Sequence, residues 1–144
     1  MRILGVDPGE KRLGIAISDP SGTIANPLSI IKHTSRAIDA ASIAQYAIDN
    51  QVGLIVIGQS LDEDGLPTAE GRRASHLAEA VRHQTDTPVT LWDEGGSTQA
   101  ARSASIAMGI SSRKRQSRGH HLDDLAATVI LQSYLDAHSS QGQY

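Results

Sequence analysis

The chain contains no cysteine and no phenylalanine, and only one tryptophan and three tyrosines. Without cysteine there can be no disulfide framework and no thiolate metal site, so any bound metal must be held by oxygen or imidazole. Without phenylalanine the core has to be built mainly from Ile, Leu, Val and Ala. No aromatics interleave with the basic residues, so a stacking platform for single strands is not indicated. No apolar stretch approaches the ~20 residues that a membrane span requires, and Met1-Arg2 opens directly into an apolar run with no secretory leader. The expectation is a cytoplasmic protein with no membrane partner. A basic excess is missing as well: the formal charge is -3, which does not announce a nucleic-acid binder.

What is present is a folded-protein composition, 39% apolar over 144 residues, enough for one domain with a single core. That domain is expected to span residues 1–138, with 139–144 as a flexible tail. Charge is unevenly distributed. Arg113, Lys114, Arg115 and Arg118 lie in a stretch without acids and Lys11-Arg12 is a second basic point, whereas Asp62, Glu63, Asp64 and Glu70 cluster mid-chain. A local basic surface is therefore compatible with the acidic sum.

Patterning predicts strands over about 2–6, 13–18 and 24–31, separated by Asp7-Pro8-Gly9-Glu10 and Asp19-Pro20-Ser21-Gly22, which are dense in turn formers. Ser35 is expected to cap a helix running to about Asn50. The continuous run Leu54-Ile55-Val56-Ile57 reads as a strand covered on both faces, as in a parallel sheet. Ala74, Leu77, Ala78 and Val81 fall at helical spacing within about 69–84. A short strand follows at 88–92, then helices at 97–108, capped by Ser97, and at 122–138. The order βββαβαβαα predicts an α/β fold with a mixed five-stranded sheet, three antiparallel strands then two parallel, flanked by helices.

Three carboxylates stand at element junctions. Asp7 ends the first apolar run beside Gly5 and Gly9. As the first residue of Asp-Pro-Gly it could simply form a turn, but the glycines at 5, 9 and 14 would also admit a ligand backbone or phosphate, and Lys11 and Arg12 add positive charge. Glu94 follows a strand and precedes a helix, where ligands collect in α/β sheets, or else it complements that helix dipole. Asp123 and Asp124 occupy the start of the last helix, and periodicity does not choose between them. Acids converging from separate elements would make a magnesium site, and a metal bridging carboxylate and phosphate fits phosphoryl chemistry. His120-His121 lacks a second pair at helical spacing and reads as surface histidines rather than zinc ligands.

The segments Gly5-Val6-Asp7-Pro8-Gly9, Lys11-Arg12-Leu13-Gly14-Ile15-Ala16, Ser18-Asp19, Val56-Ile57-Gly58, Asp64-Gly65, Asp93-Glu94 with Ser97-Thr98, and Asp123-Asp124-Leu125-Ala126-Ala127 occur in that order. In this they resemble the YqgF family of Holliday-junction-resolvase-like pre-16S rRNA nucleases, over about residues 2–136. The resemblance implies an RNase H-like fold and a metal-dependent nuclease that processes the 5′ end of pre-16S rRNA, with pre-ribosomal particles as partners. It puts the catalytic, metal-binding acids at Asp7, Glu94 and Asp123, the last because it stands three residues before Ala126-Ala127. Mg²⁺ or Mn²⁺ would be the cofactor, with Lys11, Arg12, Arg113, Lys114, Arg115 and Arg118 on the nucleic acid. Related junction resolvases carry a further acid where this chain has Ala126, which implies weaker binding of a second metal. Two departures stand out: Gly95-Gly96 replaces an Arg and a bulky apolar residue, and Gln59-Ser60 replaces Leu-Pro. The alternatives are a junction resolvase on branched DNA, which would be a homodimer rather than a monomer, and a non-catalytic RNA-binding assembly module. An actin-like ATPase or sugar kinase would need a second phosphate loop that 144 residues cannot hold.

Overall fold

The computed structural model describes residues 1–94 and 119–142, the backbone alone at 119–124 and 139–142. Its elements are β1 (Arg2–Pro8), β2 (Arg12–Ser18), β3 (Ala25–Lys32), α1 (Arg36–Asp49), β4 (Val52–Gln59), α2 (Ala69–Gln84), β5 (Val89–Asp93) and α3 (Gly119–Gly142). The predicted helix at 97–108 lies outside the described residues. One sheet runs in the order β3-β2-β1-β4-β5. β1, β2 and β3 pair antiparallel, whereas β4 joins β1, and β5 joins β4, in parallel. This is the mixed topology that the alternation of patterns predicts.

Alternation along the strands sorts the core onto two faces. Leu4, Val6, Leu13, Ile15, Ile55 and Ile57 pack under α1 and α2 with Ala40, Ile43, Leu77 and Val81. Ile3, Ala16, Ala25 and Val56 point the other way, against Ala127, Leu131 and Leu135 of α3. β4 is therefore covered on both sides, as its unbroken apolar run requires. Gly5 lies on the α3 side, and a Cβ there would sit 2.7 Å from Cβ of Leu131 and 3.4 Å from the Ala127 carbonyl. The closeness that Gly5 permits is thus of a helix to a strand, not of a ligand as its place beside Asp7 suggested. Gly9 likewise serves the chain itself, because a Cβ there would meet the Arg12 carbonyl at 2.4 Å.

Local hydrogen bonds fix the ends of the elements. Ser35 caps α1 as predicted, its Oγ accepting from the Ile38 N–H at 3.2 Å. The Asp19 carboxylate accepts from the backbone N–H of Thr23 at 2.8 Å and of Ile24 at 3.0 Å, organising the turn between β2 and β3. These bonds, that to Ile24 first and then those from Ser21 and Thr23, hold its carboxyl at about 2. The neighbouring Ser18 is buried and accepts from Ile3 N–H at 2.8 Å, so Ser18-Asp19 is a structural pair. Beyond β4, the Gln59 amide donates to Ser75 Oγ at 2.6 Å and to the Gly71 carbonyl at 3.1 Å, tying that loop to α2.

Asp39, 3% exposed in the first turn of α1, accepts from the Thr34 N–H at 3.1 Å and bonds His33 Nδ1. It thereby locks the end of β3 to the helix. Truncation removes two hydrogen bonds to a charged acceptor, so Asp39→Ala is expected to cost about 2 kcal/mol in urea unfolding.

Candidate active site

Parallel strands present their carboxyl ends on one edge, and ligands collect where the strand order reverses. Here the reversal lies between β1 and β4, since the chain builds outward to β3 on one side and to β5 on the other. Asp7 stands on the β1 side of that point. Its register is paired, opposite Gly14 of β2, so it belongs to the strand and not to the turn that follows. The side chain shares the α3 face with Ile3 and Gly5.

Glu94 immediately follows β5 and reaches inward over β4. The space above Gly58 holds its carboxylate, because a Cβ on Gly58 would stand 2.9 Å from Glu94 Oε2 and 2.8 Å from Ile130 Cδ1. Gly58 is the site residue that motif reading underrates. A glycine aligned with the end of a buried parallel strand is the signal for it. Trp92 closes the rim: its Nε1–H donates to Ser133 Oγ at 3.2 Å and its ring meets Tyr134 edge-on at 5.3 Å.

Burial and then the facing charge of Asp7, with further pushes from Glu70 and Asp93, raise the Glu94 carboxyl from the ordinary 4.5 to about 7. The sign follows from linkage. A raised carboxyl is stabilising while protonated, below the unfolded value of 4.5, and that contribution is lost as pH rises through about 7. Discounted for its partial exposure, the loss is on the order of 1–2 kcal/mol. In EDTA, Glu94→Gln should therefore unfold at higher urea than the wild type at pH 8 and at nearly the same urea at pH 4.5, and equal midpoints at both pH values would contradict this.

Two hard oxygen ligands driven together by the fold, over a floor that a methyl group would fill, fit a divalent cation of the magnesium or manganese class. Among the described residues no group of three or more His, Asp or Glu could hold a metal. The third predicted acid, Asp123, has only its backbone described. It is the fifth residue of α3, which begins at Gly119 and not at 122 as predicted, so Asp123 and Asp124 stand beyond the first turn. The helix dipole acts within that first turn, so simple dipole complementation is a weaker reason for acids here. His120 and His121 are in the first turn, again as backbone. Lys11 and Arg12 lie exposed at the β1–β2 turn, at the same end of the sheet as Asp7. Arg113, Lys114, Arg115, Arg118 and Gly95-Gly96 lie outside the described residues.

This frame matches known proteins along its whole length. The family model described as RuvX, Holliday junction resolvase, matches residues 1–137. The chain belongs to this family. A relative from Thermoanaerobacter pseudethanolicus is 37% identical over 98% of this chain and 100% of its own length. One from Anaeromyxobacter is 41% identical over 94% and 97%. Both carry the provisional name of a pre-16S rRNA nuclease. The fold of this chain is RNase H-like, as in Thermus thermophilus RuvC bound to a Holliday junction (TM-score 0.57, 18% identity, 96% of each chain). The fowlpox virus resolvase in complex with junction DNA aligns with a TM-score of 0.53 at 15% identity, over 95% of this chain and 98% of its own. Among the described residues no helix is long and apolar enough to cross a membrane.

Proposed function

We propose that this RuvX-family protein is a divalent-metal-dependent nuclease that hydrolyses phosphodiester bonds in processing the 5′ end of pre-16S rRNA. The observation that carries the reading is the convergence of Asp7 and Glu94 at the switch point of the sheet, close enough that Asp7 is the leading charge holding the Glu94 proton on. Family membership and the names of the relatives supply the substrate class.

Asp7, Glu94 and Asp123 would hold the metal. Asp123 stands four residues, about one helical turn, before Ala127, whose carbonyl abuts the Gly5 position on the strand that carries Asp7. When bound, the ion would supply Lewis-acid stabilisation of phosphoryl charge and make a water more acidic than in bulk solvent. Glu94 must shed its proton to serve as a ligand, so its readiness rises through pH 7. Lys11 and Arg12 neutralise the nucleic-acid backbone on the β2 side of the acids, which keeps two carboxylates from repelling the substrate. Trp92 and Tyr134 pack edge-on against each other on the α3 side of β5, the strand that leads into Glu94.

The test is cleavage of a labelled pre-16S 5′ segment beside a four-way DNA junction, in Mn²⁺, Mg²⁺ or EDTA. Metal-dependent cutting of the RNA is expected. Preference for the junction would favour the resolvase activity for which the family is named, and binding without cutting in every metal would overturn the nuclease reading.

A further inference from the structure

Lys32, the last residue of β3, pairs in register with Arg12, the first of β2. Two cations placed directly opposite each other on adjacent strands repel. Alternation fixes the side they occupy. Leu13 and Ile31 face α1 and α2, and the Tyr46 hydroxyl of α1 donates to Ser29 Oγ at 2.9 Å. Arg12, Ile30 and Lys32 therefore share the opposite face, the one that carries Asp7. Together with Lys11 and His33 they line an open groove in which Glu10 is the sole acid among the described lining residues.

The platform under these cations is fixed at both ends. The His33 N–H donates to the Lys11 carbonyl at 2.9 Å, pinning the β1–β2 turn to the end of β3. The buried Asp39 holds His33 and Thr34 from the other side. Long cationic side chains mounted on a locked edge can meet an anion with little further ordering of the backbone.

From Asp7, Lys32 is two strands across and about two residues further along the sheet, roughly 12 Å between Cα positions at ordinary strand spacing and rise. With 3.4 Å of rise and about a tenth of a turn per nucleotide, phosphates about two nucleotides apart along one strand are separated by roughly that distance. Resting on the nuclease reading, we infer that Lys32 with Arg12 and Lys11 forms a second phosphate subsite, gripping the nucleic-acid backbone about two nucleotides from the bond that is cut. Lys32 is then a positioning residue. It binds the polymer and takes no part at the reacting phosphorus.

The experiment compares wild type, Lys32→Ala, Lys32→Arg and Arg2→Ala, binding a labelled pre-16S 5′ segment and a four-way junction between 50 and 200 mM KCl, with cleavage kinetics alongside. Lys32→Ala is expected to weaken binding about threefold to tenfold and to lower the salt slope by about 1. KM should rise with kcat unchanged, and Lys32→Arg should restore both. Arg2→Ala removes the same charge from the opposite end of the strand array and should change neither. An unaltered slope in Lys32→Ala, or an equal loss in Arg2→Ala, overturns the subsite. Wild-type protein that binds neither nucleic acid overturns the nuclease reading and the subsite with it, a failure distinct from a wild type that binds but ignores Lys32.

Discussion

Asp7→Asn is expected to lower metal-dependent cleavage on the order of 10³-fold, about 4 kcal/mol of transition-state stabilisation, with the fold intact. The substitution keeps the shape of the side chain within the paired register of β1 and removes only the charge and half of its oxygen ligands. It also removes the leading charge that holds the Glu94 proton on. Glu94 should then titrate closer to the ordinary carboxyl range, with burial and the charges of Glu70 and Asp93 still raising it. Thermal stability at pH 8 should stay level or rise, because the repulsion between the two acids disappears. The thermal shift that Mn²⁺ gives the wild type should be absent. Full activity in this variant would remove Asp7 from the site, and lost activity with a matching loss of stability would make its role structural.

The elements that could be read from the chain are those whose signal is local. Helix α2 matches its predicted limits, 69–84, because Ala74, Leu77, Ala78 and Val81 repeat along one stripe and Thr68 caps it, accepting from the Gly71 N–H at 3.1 Å. Strand β4 was legible from an unbroken apolar run, whose residues Ile55, Val56 and Ile57 are all fully buried. Asp7 was harder. Asp-Pro-Gly is a turn sequence, and only pairing with β2 carries β1 through Pro8 and puts the acid inside the strand.

Long-range packing explains what stayed hidden. That Gly5 receives a helix depends on Leu131, far along the chain, and nothing adjacent to Gly5 encodes it. Lys32 lies one residue beyond the predicted strand at 24–31, and its partnership with Arg12 follows from a hairpin register that shifts between Ile15 and Ala16. A count of residues from the turn misses such a shift, and an irregularity of one residue changes which face a side chain occupies. The Gln59 departure from the family pattern has a physical reading after all, as the amide that fastens the loop to α2.

Gly5→Ala should be the costlier of the two single-methyl changes beneath α3. The added Cβ would lie 2.7 Å from Cβ of Leu131, a residue with no exposed surface, and no rotamer change can move that atom out of the way. Relief to ordinary contact requires α3 to move outward by roughly 1 Å, an overpacking cost near the upper end of about 1–3 kcal/mol. Because Asp123 is carried on α3, the same movement should reduce cleavage about 10²-fold. Gly58→Ala provides the contrast. Its Cβ would meet Ile130 Cδ1 at 2.8 Å and Glu94 Oε2 at 2.9 Å, both ends of side chains that can turn away. It should cost less stability while still displacing the carboxylate directly. Urea unfolding and cleavage of the two variants separate the routes: Gly5→Ala loses activity through a displaced helix and Gly58→Ala through a displaced ligand. If Gly58→Ala proved the more destabilising of the two, the close seat of α3 on β1 would not be what orders this face of the sheet.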